Sequence, residues 1–329
     1  MDDPPATDRL RALLRDGEYD AASDGLARVV NADEAARRQA LNALRDLADD
    51  RPDAVAGVAA AVVPFLTDDE RSFRLGAAKL FAALADANPD AARPVADALA
   101  DRLRDDDEFY FVRARCAEAL GYVALDHPSV ASPAVLADLR VGLEFDEPEV
   151  RERLAQALEC VALGDPGRLR HHVAALADHL DDGSDRVRYH LVSALVAVGT
   201  EHPGRLASAA DALTGRLDDD RVHVRGRAAE AVGLLARAGA DATLPEGALE
   251  AAADGEAFVA ERAAFALDAI RGDGGGDVPD EVGTLAGVRR TTRAAVAEMT
   301  APDGECPHCG LALPSSGGPP MCPRCGAPR

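Results

Sequence analysis

The amino-acid sequence predicts an all-α protein in which about seven helical hairpins follow one another, with a small cysteine-rich module at the carboxyl end. Two observations predict the helices. Aromatic residues make up only 4% of the 329 residues, and alanine and leucine recur at helical spacing. A third observation predicts the repetition, because an acidic cluster, an apolar residue, an arginine and an alanine-rich stretch return seven times in that order.

Residues 1–30 are expected to form one or two capping helices. A row of stacked hairpins leaves the outer face of its first member in water, so it needs a terminal cap. Six apolar side chains are expected to face the first hairpin: Leu10, Leu13, Leu14, Leu26, Val29 and Val30.

One arginine column sets the register of the repeats over residues 31–271. Its members lie about 37 residues apart, and Ala260 takes the seventh position. The column consists of Arg37, Arg74, Arg113, Arg151, Arg188 and Arg225. Positions 3, 4, 6, 7 and 10 after each arginine are almost wholly apolar, as expected for one buried face of a helix. More loosely patterned segments between these helices predict the other helix of each hairpin, and acidic clusters lie in the turns, where they can cap the arginine-bearing helix.

This pattern, as in EVRERLAQALECVAL at 149–163, resembles HEAT repeats, including the short form named after phycobilisome lyases. The resemblance covers about residues 31–271 and implies a right-handed α-solenoid. It also implies that turn aspartates and repeat arginines form a stacking ladder, so that these charges are structural. The ladder it implies joins Asp69, Asp107, Asp182 and Asp219 with Arg74, Arg113, Arg188 and Arg225.

Residues 272–302 are expected to contain a glycine-rich hinge and a connecting helix. The hinge is the sequence GDGGGD, which follows Arg271. The helix is predicted over 281–299, where four apolar residues recur at three-four spacing: Leu285, Val288, Ala295 and Met299.

Four cysteines near the carboxyl end predict a zinc site. They are arranged as Cys306-x2-Cys309-x12-Cys322-x2-Cys325. Two residues between thiolates allow one turn to present both sulfurs to one ion. The segment 303–329 resembles a short zinc ribbon, which implies one structural zinc ion. Two disulfides are the alternative, which a cytosolic setting disfavours. Four cysteine ligands would leave no open position for hydrolytic chemistry.

The charge of the chain restricts its partners. The formal net charge is -22, from 58 acidic and 36 basic side chains, and Lys79 is the single lysine. Acidic side chains repel phosphate groups and anionic membranes. We therefore expect the repeats to bind neither nucleic acid nor a membrane. No apolar run reaches the length of a membrane span, and we expect a cytoplasmic protein. The surplus of aspartate over lysine resembles proteins of salt-loving archaea, in which molar salt screens the repulsion between like charges.

The sequence predicts no catalytic site. None of the eight histidines is followed by glutamate, which excludes the repeated His-Glu pairs of HEAT-like deoxyhypusine hydroxylases. We find no glycine-rich phosphate loop followed by lysine, and no small-molecule substrate is inferred. Cys116 and Cys160 are expected to be small buried side chains. An enzyme with an unrecognised site remains an alternative.

We therefore expect a non-enzymatic scaffold or adaptor that binds another protein. The HEAT resemblance implies that the arginine-bearing helices line the binding side. Position 2 after each repeat arginine is expected to face solvent there and to receive an acidic segment of the partner. Five basic residues occupy it: Arg115, Arg153, His190, Arg227 and Arg262.

Two alternatives stay open. In the first, Arg115 with Glu118 and Arg227 with Glu230 are ordinary ion pairs on the helix surface. In the second, the protein is a regulatory subunit whose zinc ribbon contacts nucleic acid or a nucleoprotein complex. Three arginines that precede the ribbon favour the second alternative: Arg289, Arg290 and Arg293.

Overall fold

The computed structural model describes residues 7–239, 244–272 and 278–299. Within these ranges the chain forms α-helices and short 3-10 helices and contains no strand, which confirms the all-α prediction for this part. Contacts divide the chain into two compact units, Met1–Gly142 and Leu143–Arg329.

The first unit begins with two helices and continues with alternating long and short helices. Its helices are α1 (Thr7–Asp16), α2 (Tyr19–Val30), α3 (Glu34–Asp50), α4 (Pro52–Ala56), α5 (Ala59–Val62), α6 (Arg71–Ala87), α7 (Pro89–Ala92), α8 (Ala96–Arg104), α9 (Tyr110–Asp126) and α10 (Pro133–Val141). The long helices α3, α6 and α9 pack in that order. Leu10, Leu13 and Leu14 of α1 are buried, as expected for a cap, whereas Val30 at the end of α2 is only partly buried.

The second unit repeats the same alternation and adds a final helix. Its helices are α11 (Pro148–Gly164), α12 (Val173–Ala177), α13 (Asp185–Glu201), α14 (Ala210–Gly215), α15 (Val222–Arg237), α16 (Glu246–Ala253), α17 (Ala257–Arg271) and α18 (Leu285–Met299). The helices α11, α13, α15 and α17 pack side by side in chain order. The predicted connecting helix is α18, which begins four residues later than expected.

Each of the seven copies of the sequence motif forms one long helix of 15 to 17 residues. These seven repeat helices are α3, α6, α9, α11, α13, α15 and α17. Their alanine and leucine columns form the core: Ala194 and Leu195 of α13, for example, are 0% exposed. The small alanine side chain allows neighbouring helices to approach closely. The alignment of the repeats deduced from the sequence therefore also identifies the residues through which neighbouring helices pack.

The segments between repeat helices are not continuous helices. Proline interrupts them, because it lacks the amide hydrogen and disfavours an α conformation at the preceding residue. Pro64 and Pro94, for example, lie in 3-10 turns. The 3-10 helices are Val63–Thr67, Arg93–Val95, Pro128–Val130, Gly142–Glu144, Pro166–Arg168, Pro203–Ala209 and Arg216–Asp218.

An arginine–carboxylate ladder links successive repeats. Arg188 Nε and Nη2 donate to the Asp219 carboxylate at 2.7 and 2.9 Å, and Arg188 Nη1 donates to the Asp182 carbonyl oxygen at 2.8 Å. Arg151 contacts the Asp182 carboxylate at 2.7 and 3.1 Å. Burial would raise the pKa of Asp219, but its hydrogen bonds, chiefly those from Arg188 and the Arg221 amide, together outweigh burial and lower the pKa. Arg151 and Arg188 therefore each hold the turn of their own repeat by a carbonyl oxygen and the turn of the next repeat by a carboxylate.

In the first unit, the ladder uses different carboxylates from those implied by the resemblance. Arg74 donates to Glu108 at 2.7 and 3.0 Å, and Arg37 pairs with Asp68 at 2.5 Å. The implied partners Asp69 and Asp107 lie one residue away from these groups. Asp69 contacts Arg74 only through its carbonyl oxygen, at 3.0 Å. The prediction was wrong for the carboxylates of Asp69 and Asp107, because the turn conformation decides which of several adjacent acids points towards the guanidinium.

Candidate protein-binding face

The basic residues expected on an open face are mostly buried in the second unit. Arg227 of α15 is 0% exposed, Arg262 of α17 is 2% exposed and His190 of α13 is 3% exposed. The expectation that these three side chains face solvent was wrong. Helical periodicity did place them correctly on one side of the repeat helices, but on α13 and α15 that side is in contact with α18.

Arg227, Glu230 and Arg262 form a buried charge cluster. Arg227 Nη1 donates to Glu230 Oε2 at 2.7 Å, and Arg262 Nε donates to the same oxygen at 3.1 Å. Glu230 Oε1 accepts the backbone amide of Gly283 at 2.9 Å. Burial would raise the pKa of Glu230, but the two guanidinium charges outweigh it and lower the pKa. The cluster therefore keeps a carboxylate ionised in an environment that would otherwise protonate it.

Aromatic rings surround this cluster. Phe258 lies under Arg262, whose guanidinium carbon is 3.6 Å from the ring centroid. The Arg227 guanidinium carbon is 5.6 Å from the same ring and 5.9 Å from the ring of Tyr189. Gly226 makes this arrangement possible, because a Cβ atom at that position would lie 2.4 Å from the Phe258 ring. The rings shield the arginines from water and strengthen their attraction to Glu230.

A second buried pair lies on the neighbouring helices. His190 Nδ1 and Glu159 Oε2 are 2.6 Å apart, and Glu159 is 1% exposed. Glu159 lies on α11 and was not selected from the sequence, since it falls outside the position that the basic residues share.

Helix α18 is bound to this side of the unit largely through polar contacts. Arg227 Nη2 donates to Thr291 Oγ1 at 2.7 Å, to the Val288 carbonyl oxygen at 3.2 Å and to Thr292 Oγ1 at 3.3 Å. Both threonine hydroxyls also donate to carbonyl oxygens of α18 itself. Each hydroxyl thus accepts a hydrogen bond from Arg227 and donates one to its own helix, so that both its acceptor and its donor are used.

Further contacts hold the two ends of α18. Near its start, Arg289 Nε donates to the carbonyl oxygen of Leu163 at 2.7 Å, at the carboxyl end of α11. In its middle, Thr292 Oγ1 lies 3.4 Å from Glu159 Oε1, a second acceptor within reach of the same hydroxyl proton. Near its end, Glu298 Oε2 lies 3.0 Å from His223 Nε2 of α15. We call the side of α11, α13 and α15 that makes these contacts the α18 face.

The burial of α13 records how completely α18 covers this face. All 13 residues from Val187 to Gly199 are buried, so α13 has no exposed stripe over this length. Ser193, which the repeat register places on the same side as Glu230, is 0% exposed. An ordinary surface helix keeps one polar stripe in water.

Two members of the predicted basic column remain partly exposed. Arg115 of α9 donates to Glu118 at 2.8 Å, as the ion-pair alternative expected. Arg153 of α11 is also partly exposed. Arg227 and Glu230 form the second expected pair, but inside the protein rather than on its surface.

Some of the other candidate residues lie in the part of the chain that the structure describes, and some lie outside it. Arg290 pairs with Glu281, and Arg293 is exposed on α18. The zinc-ligand candidates Cys306, Cys309, Cys322 and Cys325 lie outside the described residues. Cys116 and Cys160 are buried and not bonded to each other, and burial raises the pKa of the Cys116 thiol.

Within the described ranges, no group of three or more His, Cys, Asp and Glu side chains is arranged to hold a metal ion. A search of the same residues for a helix long and apolar enough to cross a bilayer found none.

Comparison with known proteins shows what part of the repeat region is similar to. Residues 136–233 match the family model for HEAT repeats. A designed armadillo repeat protein superposes with a TM-score of 0.55 at 20% identity, over 64% of this chain and 98% of that chain. An engineered protein gives a TM-score of 0.56 at 23% identity, over 65% and 98%. A designed armadillo repeat protein in complex with peptide (KR)4 gives 0.54 at 20%, over 64% and 98%.

These likenesses support a fold of the HEAT and armadillo type, in agreement with the sequence-based resemblance. A search of curated proteins found no match.

The contact between α18 and the repeat helices was not predicted from the sequence. One signal was present, since the stripe of Leu285, Val288 and Ala295 predicted an amphipathic helix that needs a surface to cover. The sequence did not indicate which surface, because Arg227 and Thr291 are 64 residues apart.

Proposed function

We propose that this protein is a non-enzymatic adaptor that binds another protein through the side of its repeat helices on which α18 lies. The observation that supports this proposal most directly is α18. This helix of 15 residues contacts side chains of α11 and α15 on that side. A surface that binds a helix of its own chain has the donors, acceptors and shape to bind a helical segment of another. A designed repeat protein of the same fold type, solved with a peptide, gives further support.

The charges of this surface argue for a scaffold rather than for catalysis. Glu230 neutralises two arginines, and Glu159 pairs with His190. Groups engaged in this way hold the structure together. For the same reason, Arg227 and Arg262 are not available to an acidic segment of a partner, as the sequence had suggested. Arg153 of α11, which is partly exposed, is the candidate for that role that we test.

We further propose that the four carboxyl-terminal cysteines bind one structural zinc ion and that the protein works in the cytoplasm at high salt. The paired Cys-x2-Cys spacing supports the zinc site. The surplus of acidic side chains supports the high-salt setting. Contact of the tail with nucleic acid is less well supported, because Arg289 donates to Leu163 and Arg290 pairs with Glu281.

Affinity purification of the tagged full-length chain from its host, at native salt, tests the adaptor function. Arg153→Glu reverses a charge on the repeat-helix side, and Arg205→Glu is the matched control, since Arg205 is exposed on a linking segment. We expect a co-purifying protein that is recovered with wild type and control but lost with Arg153→Glu. Equal recovery with both variants would place the binding surface elsewhere, and the absence of any stoichiometric partner would contradict the adaptor function.

A further inference from the structure

We infer that the α18 face is a binding site for a partner helix with hydroxyl and small residues on one side and an arginine near its start, and that α18 is the resident intramolecular ligand of this site, to be displaced by the partner. The inference rests on the adaptor function proposed above and adds which surface is used and what chemistry it accepts. It is drawn from the polarity of the face, from the weak apolar anchoring of α18 and from the contacts of α18.

The α18 face is polar where an ordinary helix-packing surface is apolar. Arg227, Glu230 and Glu159 are all at most 1% exposed beneath α18. A permanent core contact would be expected to use alanine and leucine, as the contacts between repeat helices do. Charged groups that pair with each other remain well solvated if the helix above them leaves. The face is therefore compatible with both a covered and an open state.

The apolar anchoring of α18 is slight. Three of its residues are buried: Gly287, Val288 and Ala295. The repeat helix α17, of equal length, buries six, including Phe265 and Leu267. Because apolar burial supplies most of the free energy of helix packing, α18 is held less firmly than a repeat helix. Its removal would leave the packed repeat helices in place.

The contacts of α18 specify the ligand. A stripe of threonine hydroxyls accepts from Arg227, and a valine and an alanine fill the remaining contact. An arginine near the start reaches a carbonyl oxygen at the carboxyl end of α11, where the helix dipole favours positive charge. Of the three arginines of α18, Arg289 makes this contact, whereas Arg290 pairs with Glu281 and Arg293 is exposed. A partner helix with small and hydroxyl residues on one side and one arginine near its start fulfils the same requirements.

Peptide capture by the full-length chain tests this inference. The probe is a fluorescent peptide of residues 281–299, and binding is followed by anisotropy. In the wild type, the tethered α18 competes at an effective concentration of millimolar order, so little peptide binds. Thr291→Val combined with Thr292→Val keeps the side-chain shape but removes the acceptors of Arg227. We expect this double variant to bind the peptide about 10- to 100-fold more tightly, because hydrogen bonds to a charged group are lost from the tethered competitor.

Controls separate the possible causes. Thr214→Val makes the same chemical change on α14 and should bind peptide like the wild type. A peptide with Arg289 replaced by glutamate should bind the double variant more weakly, because a carboxylate would face the Leu163 carbonyl oxygen at the end of α11, and equal binding would overturn the requirement for an arginine near the start of the partner helix. If the double variant shows altered circular dichroism, Glu298→Ala, which removes the acceptor of His223, serves as the second loosened chain.

Two results would overturn the inference. In the first, loosened chains with intact circular dichroism capture no more peptide than the wild type, so that α18 is a permanent part of the fold. In the second, light scattering shows that loosened chains form dimers, so that the ligand is α18 of a second copy. Neither result decides the adaptor function, whose failure would appear as the absence of a co-purifying protein.

Discussion

The Glu230 carboxylate allows a quantitative test of the buried charge cluster. Glu230 receives Arg227 Nη1 at 2.7 Å and Arg262 Nε at 3.1 Å, and it is 0% exposed. Glu230→Gln preserves the shape of the side chain and removes its charge. Two buried guanidinium groups then face each other without a counter-charge.

The magnitude follows from the desolvation of these groups. Removal of one partner from a buried ion pair typically destabilises a protein by about 3–5 kcal/mol. The glutamine oxygen still accepts one hydrogen bond, so we expect the lower end, about 3 kcal/mol. Because the pKa of Glu230 is lowered in the folded protein, the stabilisation is present above the ordinary glutamate pKa and is lost as the pH falls below it.

Urea unfolding of the full-length chain at pH 7 and constant molar salt measures this loss, with circular dichroism as the signal. Glu261→Gln is the control, because the Glu261 carboxylate lies 3.7 Å from Arg262 but is 47% exposed. Exposed pairs contribute about 0–1 kcal/mol, so the control should lose less than that. A loss for Glu230→Gln no greater than for Glu261→Gln would refute the account of the cluster.

Three further predictions concern pH, zinc and salt. Burial lowers the pKa of His223 from its ordinary value of 6.5 and outweighs the opposing effect of Glu298, so the folded protein loses stability as the pH falls below that value; the urea midpoint should decrease over this range, and His223→Gln should flatten that dependence. A strong chelator should release about one zinc ion per chain, measured with a colorimetric dye, and leave the helical signal intact; loss of cooperative unfolding would contradict a separate tail site. The melting temperature should rise steeply from tens of millimolar to molar salt, since screening weakens repulsion between acidic side chains; a flat profile would exclude adaptation to high salt.

The repeat helices were predictable because their signal is local and occurs seven times. The arginine column fixed the register. Asp182, Arg188 and Asp219 occupy the ladder positions that the HEAT resemblance implied, and Arg151, which it had not included, extends the ladder. The choice of acid was not predictable in the first unit, where Glu108 rather than Asp107 receives Arg74. Adjacent acids in a turn are equivalent in a sequence pattern, and backbone conformation alone distinguishes them.

The sequence predicted which residues lie together at the candidate site, but not whether they are exposed to water. Periodicity grouped His190 with Arg227 and Arg262 on one side of the helices, and the structure does so too. Whether that side meets water depends on α18, whose Thr291 lies 64 residues from Arg227. No short-range pattern encodes a contact of such sequence separation. The helix was predicted from its apolar stripe, whereas its docking surface required the structure.

Hydrogen exchange of α18 in the full-length wild-type chain tests the central claim most directly. An isolated helix of 15 residues is marginally stable in water, so slow exchange of residues 285–299 requires docking on the α18 face. Mass spectrometry at native salt should show these amides exchanging at least about tenfold more slowly than in the synthetic peptide of residues 281–299, with the protection lost in the Thr291→Val, Thr292→Val chain and α17 unaffected. Exchange of this segment in the wild type as fast as in the free peptide would contradict the claim that α18 occupies a binding face.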